Sequence, residues 1–506
     1  MKLDMAVLVP WLAWLLVSFL AVYLLSLLSH RHRSLPPGPR PLPIIGSLHL
    51  LGNQPHRSLA SLAKNYGPLV SLRLGTVTTV VVSSPEAARE FLQRHDAVFS
   101  NRSVPDATGN HSRNSVAWLP NDPRWRALRK LMGTELFAPH RLDALQHLRR
   151  EKVQELVEHV RRLAREGAAV NIGQVAFITS LNLVSRTIFS RDLTSLDDHG
   201  GSKEFQELVT DIMEAAGSPN FFKCCSLHSV WSIEISSGCL SKSMTWSFSL
   251  GRCMQYESYD PTEDKPSFFS ENILLWKQWV VEYHGTLMFL FNIYDITNFL
   301  VFLFEDLFSA GSDTSSSTVE WAMVELLQNP CSMAKACDEL ERVIGSRRNI
   351  EEFDINQLPY LQAVINETFR LHPAAPLLLP RHARVETKIM GYTIPKGSRV
   401  FVNVWAIGRD KETWSEPEKF VPERFLNRTV DLRGGDFHLI PFGAGRRICP
   451  GMPLAIRMVH VLLASLLNQF KWRLPADVER HGVDMTEKFG VTLTKAVPLC
   501  AIATPI

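Results

Sequence analysis

Apolar residues are arranged along this chain in distinct ways, and each predicts a different element. Residues 140–166 carry apolar side chains at helical spacing among many Arg and Glu, the pattern of an amphipathic surface helix. The same reading predicts helices over 171–190, 203–216, 305–328, 332–345 and 357–371. Tyr66 to Ser84 is instead rich in β-branched residues with Gly at turn positions, and reads as a short hairpin or meander. Ser84-Pro85-Glu86 then opens a helix, with Ser84 as N-cap and Pro85 in the first helical position. Short strands are predicted at 387–394 and 398–402. The fold class is mainly α with a minor β-sheet region.

Two apolar stretches fall outside that pattern. Met5 to Leu28 has no charge in 24 residues, about 36 Å of helix, enough to cross a hydrocarbon core of about 30 Å. The run exceeds the apolar core of a cleaved signal peptide, and no small-residue cleavage site follows it. Arg31, His32 and Arg33 come next and place the remainder of the chain in the cytosol by the positive-inside rule. The organisation read from this is an N-terminal transmembrane anchor (1–30), a basic and Pro-rich linker (31–45) and one domain (46–506). The second stretch, 219–305, breaks the pattern inside that domain. It holds Cys224, Cys225, Cys239 and Cys253, also Trp231, Trp246, Trp276 and Trp279, with Arg252 as its one arginine. Its end, Leu287 to Phe304, is almost wholly apolar around Asp295. Its readings are a second membrane-dipping element, a buried helix, or a product of a frameshift or retained intron.

Composition narrows the function classes. The chain is 45% hydrophobic and 21% charged, as in folded proteins. A formal charge of +3 gives no reason to expect a nucleic-acid partner. The 8 Cys include no Cys-x-x-Cys pair, which argues against a zinc or dithiol site and for a reducing compartment.

The chemistry concentrates in residues 442–451, Phe-Gly-Ala-Gly-Arg-Arg-Ile-Cys-Pro-Gly. A lone Cys is ordinarily a small buried hydrophobe. Cys449, however, lies among glycines that let the backbone approach a bulky planar group, and before a Pro-Gly pair suited to a helix start. Backbone N–H groups there favour a thiolate. Upstream, Ala310-Gly311-Ser312-Asp313-Thr314 lies in a helical stretch whose glycine and run of hydroxyl residues make it locally poor helix, a place for a kink or π-bulge. Glu367 and Arg370 sit three apart on one helix, and Trp125 and Arg129 four apart on another.

These motifs resemble the cytochromes P450. Phe442, Gly445, Arg447, Cys449 and Gly451 match the haem loop F-x-x-G-x-R-x-C-x-G. The resemblance implies a cytochrome P450-like fold behind the N-terminal transmembrane helix, with haem b as cofactor and Cys449 as the axial iron ligand. It also implies that Phe442 shields the sulfur and that Trp125, Arg129, Arg381 and Arg447 face the haem propionates. Ala310 and Gly311 would line the oxygen site, where Thr314 bonds dioxygen and Asp313 relays protons. Glu367, Arg370 and Arg424 would form a structural network. Substrate walls would come from 103–119, 309–314, Ala374 to Leu379 and Gly490 to Leu493. The likeness is to plant microsomal members, in particular geraniol 8-hydroxylase-related terpenoid oxidases.

By that likeness the chain is a haem-thiolate monooxygenase that hydroxylates a small lipophilic substrate, a terpenoid, with O2. Electrons would come from NADPH through NADPH-cytochrome P450 reductase, docked on a basic patch that includes Arg126, Lys130 and Arg446. The location would be the endoplasmic reticulum membrane, single-pass, with the domain facing the cytosol. Competing readings are a hydroxylase of flavonoid or phenylpropanoid substrates, a haem-thiolate isomerase or dehydratase, and a catalytically impaired membrane protein.

Overall fold

The computed structural model describes residues 34–506 except 190–191, 198–200, 218–292, 346–347 and 429, with a few helical positions between Pro10 and Ala21. Most of the anchor expected over 1–30 and most of 219–305 therefore lie outside the described residues.

Helices dominate. The longest, Ile293–Gln328 (α6), covers 36 residues, about 54 Å at 1.5 Å per residue. It packs chiefly on Ile172–Phe189 (α4). It also meets Gly201–Gly217 (α5), Pro330–Val343 (α7), Pro359–Leu371 (α8) and Met452–Gln469 (α9). The first three labels belong to Pro55–Tyr66 (α1), Pro123–Leu131 (α2) and Gln146–Arg165 (α3). The helices expected over 171–190, 203–216, 332–345 and 357–371 are present, and that expected over 305–328 begins twelve residues earlier at Ile293. The amphipathic stretch 140–166 is divided by Leu145 into Pro139–Ala144 and α3.

Ser84 accepts a hydrogen bond from the Ala87 N–H at 3.2 Å, so the expected cap is made. The π-bulge anticipated as one form of the weak spot in α6 is absent. Residues 293–328 are α-helical throughout, and the hydroxyls turn back onto their own helix. Ser309 donates to the Glu305 carbonyl at 2.7 Å, Thr314 to Ala310 at 2.6 Å and Thr318 to Thr314 at 2.8 Å. This i−4 bonding satisfies the side-chain hydroxyls within the helix. The described π turns are elsewhere, at Glu90–Arg94 and Met132–Leu136.

The minor sheet has five strands. Leu69–Leu74 (β1) pairs antiparallel with Val77–Val82 (β2), which runs parallel to Arg399–Val402. Arg381–His382 and Asn101–Arg102 complete it. Pro37 and Gly38 lie on β1: the Ser71 N–H donates to the Pro37 carbonyl at 2.9 Å, and a Cβ on Gly38 would collide with the Ser71 carbonyl. Among the described residues, one helix is long and apolar enough to cross a membrane, α9, and 72% of it is buried inside the protein. It is a core helix: Leu462, Leu463, Ala464 and Leu466 pack with Trp321 of α6 and Val364 of α8.

Candidate haem-thiolate site

The loop 442–451 forms because three of its residues are held from outside. Arg447 reaches away from Cys449 to donate to the carbonyls of Ser100 at 2.7 Å, Val116 at 3.3 Å and Leu119. Gly445, with φ +69°, passes so close to the Leu92 carbonyl that no Cβ would fit. The Cys449 N–H donates to the Phe442 carbonyl at 3.0 Å, closing the loop at the start of α9. Phe442 in turn sets its ring edge against Phe369, with centroids 5.4 Å apart.

Above this loop is a cavity of about 590 Å³, within the size range of small-molecule sites. Cys449 and Gly451 form part of its wall, together with Phe442, Trp125, Arg129, Arg381 and Arg447. Ala310, Gly311 and Thr314 of α6 line the same space. Ten of the twelve site residues inferred from sequence thus belong to one cavity. The other two, Asp313 and Gly445, lie behind its wall. Gly311 also serves packing: a Cβ there would come within 3.1 Å of Val184, so it sets how closely α6 approaches α4.

Burial raises the Cys449 thiol above its ordinary pKa, opposed by the Gly451 and Met452 N–H groups at the start of α9 and by Arg129. An uncompensated thiolate is therefore costly here, and a metal ion supplies the missing positive charge. The opposite imbalance exists nearby. Arg102, Arg129, Arg381 and Arg447 crowd one side of the cavity, and none makes a salt bridge with a carboxylate among the described residues. Burial, then Arg381 and Arg129, push Arg447 down to about 9. Burial pushes Arg381 to about 10, and its Nη1 has no hydrogen-bond partner. Four crowded guanidiniums beside a lone thiol fit a planar cofactor that brings a metal to sulfur and two carboxylates to the arginines. Trp125, stacked 3.9 Å beneath the Arg447 guanidinium and bonded through Nε1 to the Val116 carbonyl at 3.2 Å, fixes that edge.

This arrangement predicts an unusual phenotype for Arg381→Met. Removing a buried charge that has the Ala444 carbonyl but no carboxylate as partner should leave the cofactor-free protein at least as stable as the parent. Haem retention should fall by about 30-fold or more, for about 2 kcal/mol lost on truncating one side of a buried charge pair. Haem transfer to a scavenging globin measures the second effect and denaturant unfolding the first.

The cavity walls match the four expected segments. Thr108, His111 and Val116 come from 103–119, Ala374 and Leu378 from the loop after α8, and Val491 and Thr492 from 490–493. Two contributors were missed. Arg102 lies in a two-residue strand that nothing in its neighbourhood announces. Val209, Ile212, Met213 and Ala216 of α5 form a wall visible in sequence only as an amphipathic face.

Glu367 was expected to pair with Arg370 and Arg424, and it does. Its carboxylate accepts from Arg370 Nε and Nη2, both at 2.7 Å, from Arg424 Nε at 3.2 Å and from the Val421 N–H at 2.8 Å. Arg370 spends its remaining donors on the carbonyls of Gly408, Pro417 and Lys419, at 2.6, 2.6 and 3.0 Å. The network ties α8 to the segment 408–424.

A profile of the family described as Cytochrome P450 matches residues 36–498. Among individual proteins, the chain is 46% identical to geraniol 8-hydroxylase of Swertia mussotii over 500 residues, covering 95% of this chain and 96% of that one. It is 46% identical to geraniol 8-hydroxylase of Catharanthus roseus, with 94% and 95% covered. It is 44% identical to 7-ethoxycoumarin O-deethylase of Helianthus tuberosus, with 97% and 98% covered.

Proposed function

The chain belongs to the cytochrome P450 family, and on that premise we propose that it hydroxylates a small terpenoid alcohol at the cavity above Cys449. Members of this family are oxygen-incorporating oxidoreductases with haem iron bound by a cysteine thiolate. Here the cofactor is haem b, held by Cys449 and by Trp125, Arg129, Arg381 and Arg447. When bound, it supplies oxygen activation, which no side chain can provide. The protein's own part is to exclude water, orient the substrate and deliver protons, with Thr314 at the cavity wall and Asp313 behind it.

The observation that carries the substrate reading is the wall chemistry. Ala374, Ala375, Leu378, Val491, Val209 and Met213 suit a hydrocarbon body. A polar cluster interrupts them: His111 donates to Glu305 at 2.8 Å and to Asp306 at 2.9 Å, and Ser115 and the Val116 N–H also donate to Asp306. The names of two relatives support a terpenoid alcohol, since both act on geraniol. The name of a third, an ethoxycoumarin deethylase, supports flat aromatic substrates as the second reading. Incubation with reductase, NADPH and geraniol, beside 7-ethoxycoumarin, tests both. Failure of either compound to give an oxygen- and NADPH-dependent product sinks the corresponding reading.

Electrons would arrive from NADPH-cytochrome P450 reductase at exposed Arg126, Lys130 and Arg446, the last lying 3.3 Å from Asp96. Residues 1–30 would hold the protein in the endoplasmic reticulum membrane as a single pass, with the domain in the cytosol. Exposed Trp11, Trp14 and Val17 on the described turns support a lipid-facing segment. Retention in the membrane pellet after alkaline carbonate extraction tests this. We read 219–305 as the product of a frameshift or retained intron. A transcript that encodes it in frame and gives a stable protein sinks that reading.

The cluster around His111 gives a pH prediction. Burial alone would lower its pKa, but the hydrogen bonds to Asp306 and Glu305 outweigh it and raise His111 to about 10. Its folded pKa exceeds the unfolded value of about 6.5. The associated stability is therefore fully present below about pH 6.5, and is lost progressively as pH rises through about 10. His111→Ala should flatten that alkaline loss in thermal unfolding. It should also weaken substrate-induced spin-state titrations several-fold, because 106–113 is no longer tied to α6.

A further inference from the structure

Asp313, the acid assigned above, does not face the cavity, so its proton has to come from inside the protein. Asp313 is 4% exposed, its Oδ2 has no hydrogen-bond partner, and its carboxyl is hydrogen-bonded to Thr492. Along the same face of α6 come Ser316 and Ser317, three and four residues on, and Glu320, seven on. All are buried. The segment 492–499 covers this face. Ser316 donates to the Asp313 carbonyl at 3.1 Å, Ser317 to the Leu493 carbonyl at 2.9 Å, and the Leu499 N–H to Glu320 at 2.7 Å.

The stripe continues to the surface. Lys495, itself 6% exposed, interacts electrostatically with Glu320, lies 4.8 Å from the Trp321 ring, and donates to the carbonyl of exposed Asp484. Room for the Glu320 carboxyl is made by Gly173 of α4, where a Cβ would sit 2.8 Å from Oε2. Helical backbone tolerates Ala at that position, so the glycine answers to the carboxyl and not to a turn.

We propose that protons reach Asp313 along this buried stripe, with Glu320 as the internal carrier between buried Lys495 at the outer end, next to exposed Asp484, and the Ser316 and Ser317 hydroxyls. The inference rests on Asp313 being the proton donor at the site. In the transfer, the Glu320 O–H bond breaks. Each serine hydroxyl, rotated off its carbonyl, accepts one proton as it releases its own. A new O–H bond forms on Asp313 Oδ2. Lys495 then returns a proton to the Glu320 carboxylate and is itself reprotonated from solvent, so no net charge accumulates. Burial, followed by weaker opposing effects of the Leu499 N–H and Lys495, raises Glu320 to about 7, and burial raises Asp313 to about 6. Both carboxyls can therefore hold and give up a proton near neutrality.

The test uses the full-length holoenzyme with its reductase. Glu320→Gln should keep the reduced carbon-monoxide spectrum and substrate affinity, yet divert NADPH electrons from product to hydrogen peroxide. The loss of coupling should be about tenfold, less than the about 100-fold or more of a lost direct acid, with a raised solvent deuterium isotope effect. Gly173→Ala should act in the same direction by displacing the carboxyl, and adding Glu320→Asp should restore coupling by giving back the space. In the infrared difference spectrum on photolysis of the ferrous carbon-monoxide complex, below neutrality, a protonated-carboxyl band should disappear in Glu320→Gln. Unchanged coupling in Glu320→Gln beside an uncoupled Asp313→Asn overturns the relay alone. Unchanged coupling in Asp313→Asn overturns the assignment of the acid itself. A Glu320→Gln variant that does not assemble leaves the Gly173→Ala pair and the parent's infrared band to decide. Absence of that band, or failure of rescue, also overturns the relay.

Discussion

Cys449→Ser yields a protein whose reduced carbon-monoxide complex lacks the strongly red-shifted Soret band, and which makes no oxygenated product. The hydroxyl of Ser occupies nearly the same place, and the loop does not depend on sulfur. Its shape comes from the Cys449 N–H on Phe442, from Gly445 against Leu92 and from the Arg447 bonds to three carbonyls. The variant should therefore fold, so the loss is chemical. A serine oxygen neither ionises as readily as the thiol nor donates electron density comparably to the iron. Parent-like thermal unfolding of the cofactor-free variant, together with loss of the band, is the expected pair of results. A retained band would refute Cys449 as the ligand.

The second large effect lies away from the cavity. Glu367→Gln keeps the shape of the side chain but leaves two arginines facing a neutral amide. Arg370 and Glu367 are both fully buried at the side chain, where an uncompensated charge costs about 3–5 kcal/mol. That is a large share of the about 5–15 kcal/mol by which a folded protein is stable. The segment 408–424 is held to α8 by the same arginine, so it should loosen and the haem loop behind it should fail to assemble. Expression should give mainly haem-free, protease-sensitive protein. The double variant Glu367→Leu with Arg370→Met should be less damaged than the single one, since no charge is then stranded at the fully buried pair, while Arg424 at its edge keeps its bonds to the Ser415 and Glu416 carbonyls. Pulse proteolysis on the two variants measures the ordering, and the reverse ordering would exclude charge burial as the cause.

Local pattern made much of this legible. Period and caps located the helices, because a buried stripe has to recur every three or four residues whatever it packs against. Ser84 and the Ala87 N–H show the same for a helix start. The haem loop was readable because its five specified residues fall within ten positions and match the loop of one family, whereas the contacts that hold it, Gly445 on the Leu92 carbonyl and Arg447 on three carbonyls, come from segments far off along the chain. The π-bulge read for α6 is absent for the converse reason. Propensity disfavours a run of hydroxyl residues, yet Thr314 and Thr318 satisfy themselves on the preceding turn, and packing against α4 keeps the helix regular.

By itself, then, the sequence determined the class of fold, the motif of the loop that presents Cys449, and the pairing of Glu367 with Arg370, since each is written in residues close along the chain. Only the tertiary structure decided what depends on distant segments meeting. It brought Arg102 from a two-residue strand to Arg381 and Arg447, making a cluster that calls for an anionic partner. It turned one face of α5 into a cavity wall and set Asp313 behind that wall instead of in it. The physical reason is that burial, repulsion and orphaned hydrogen bonds belong to an environment, and that environment is assembled from residues hundreds of positions apart.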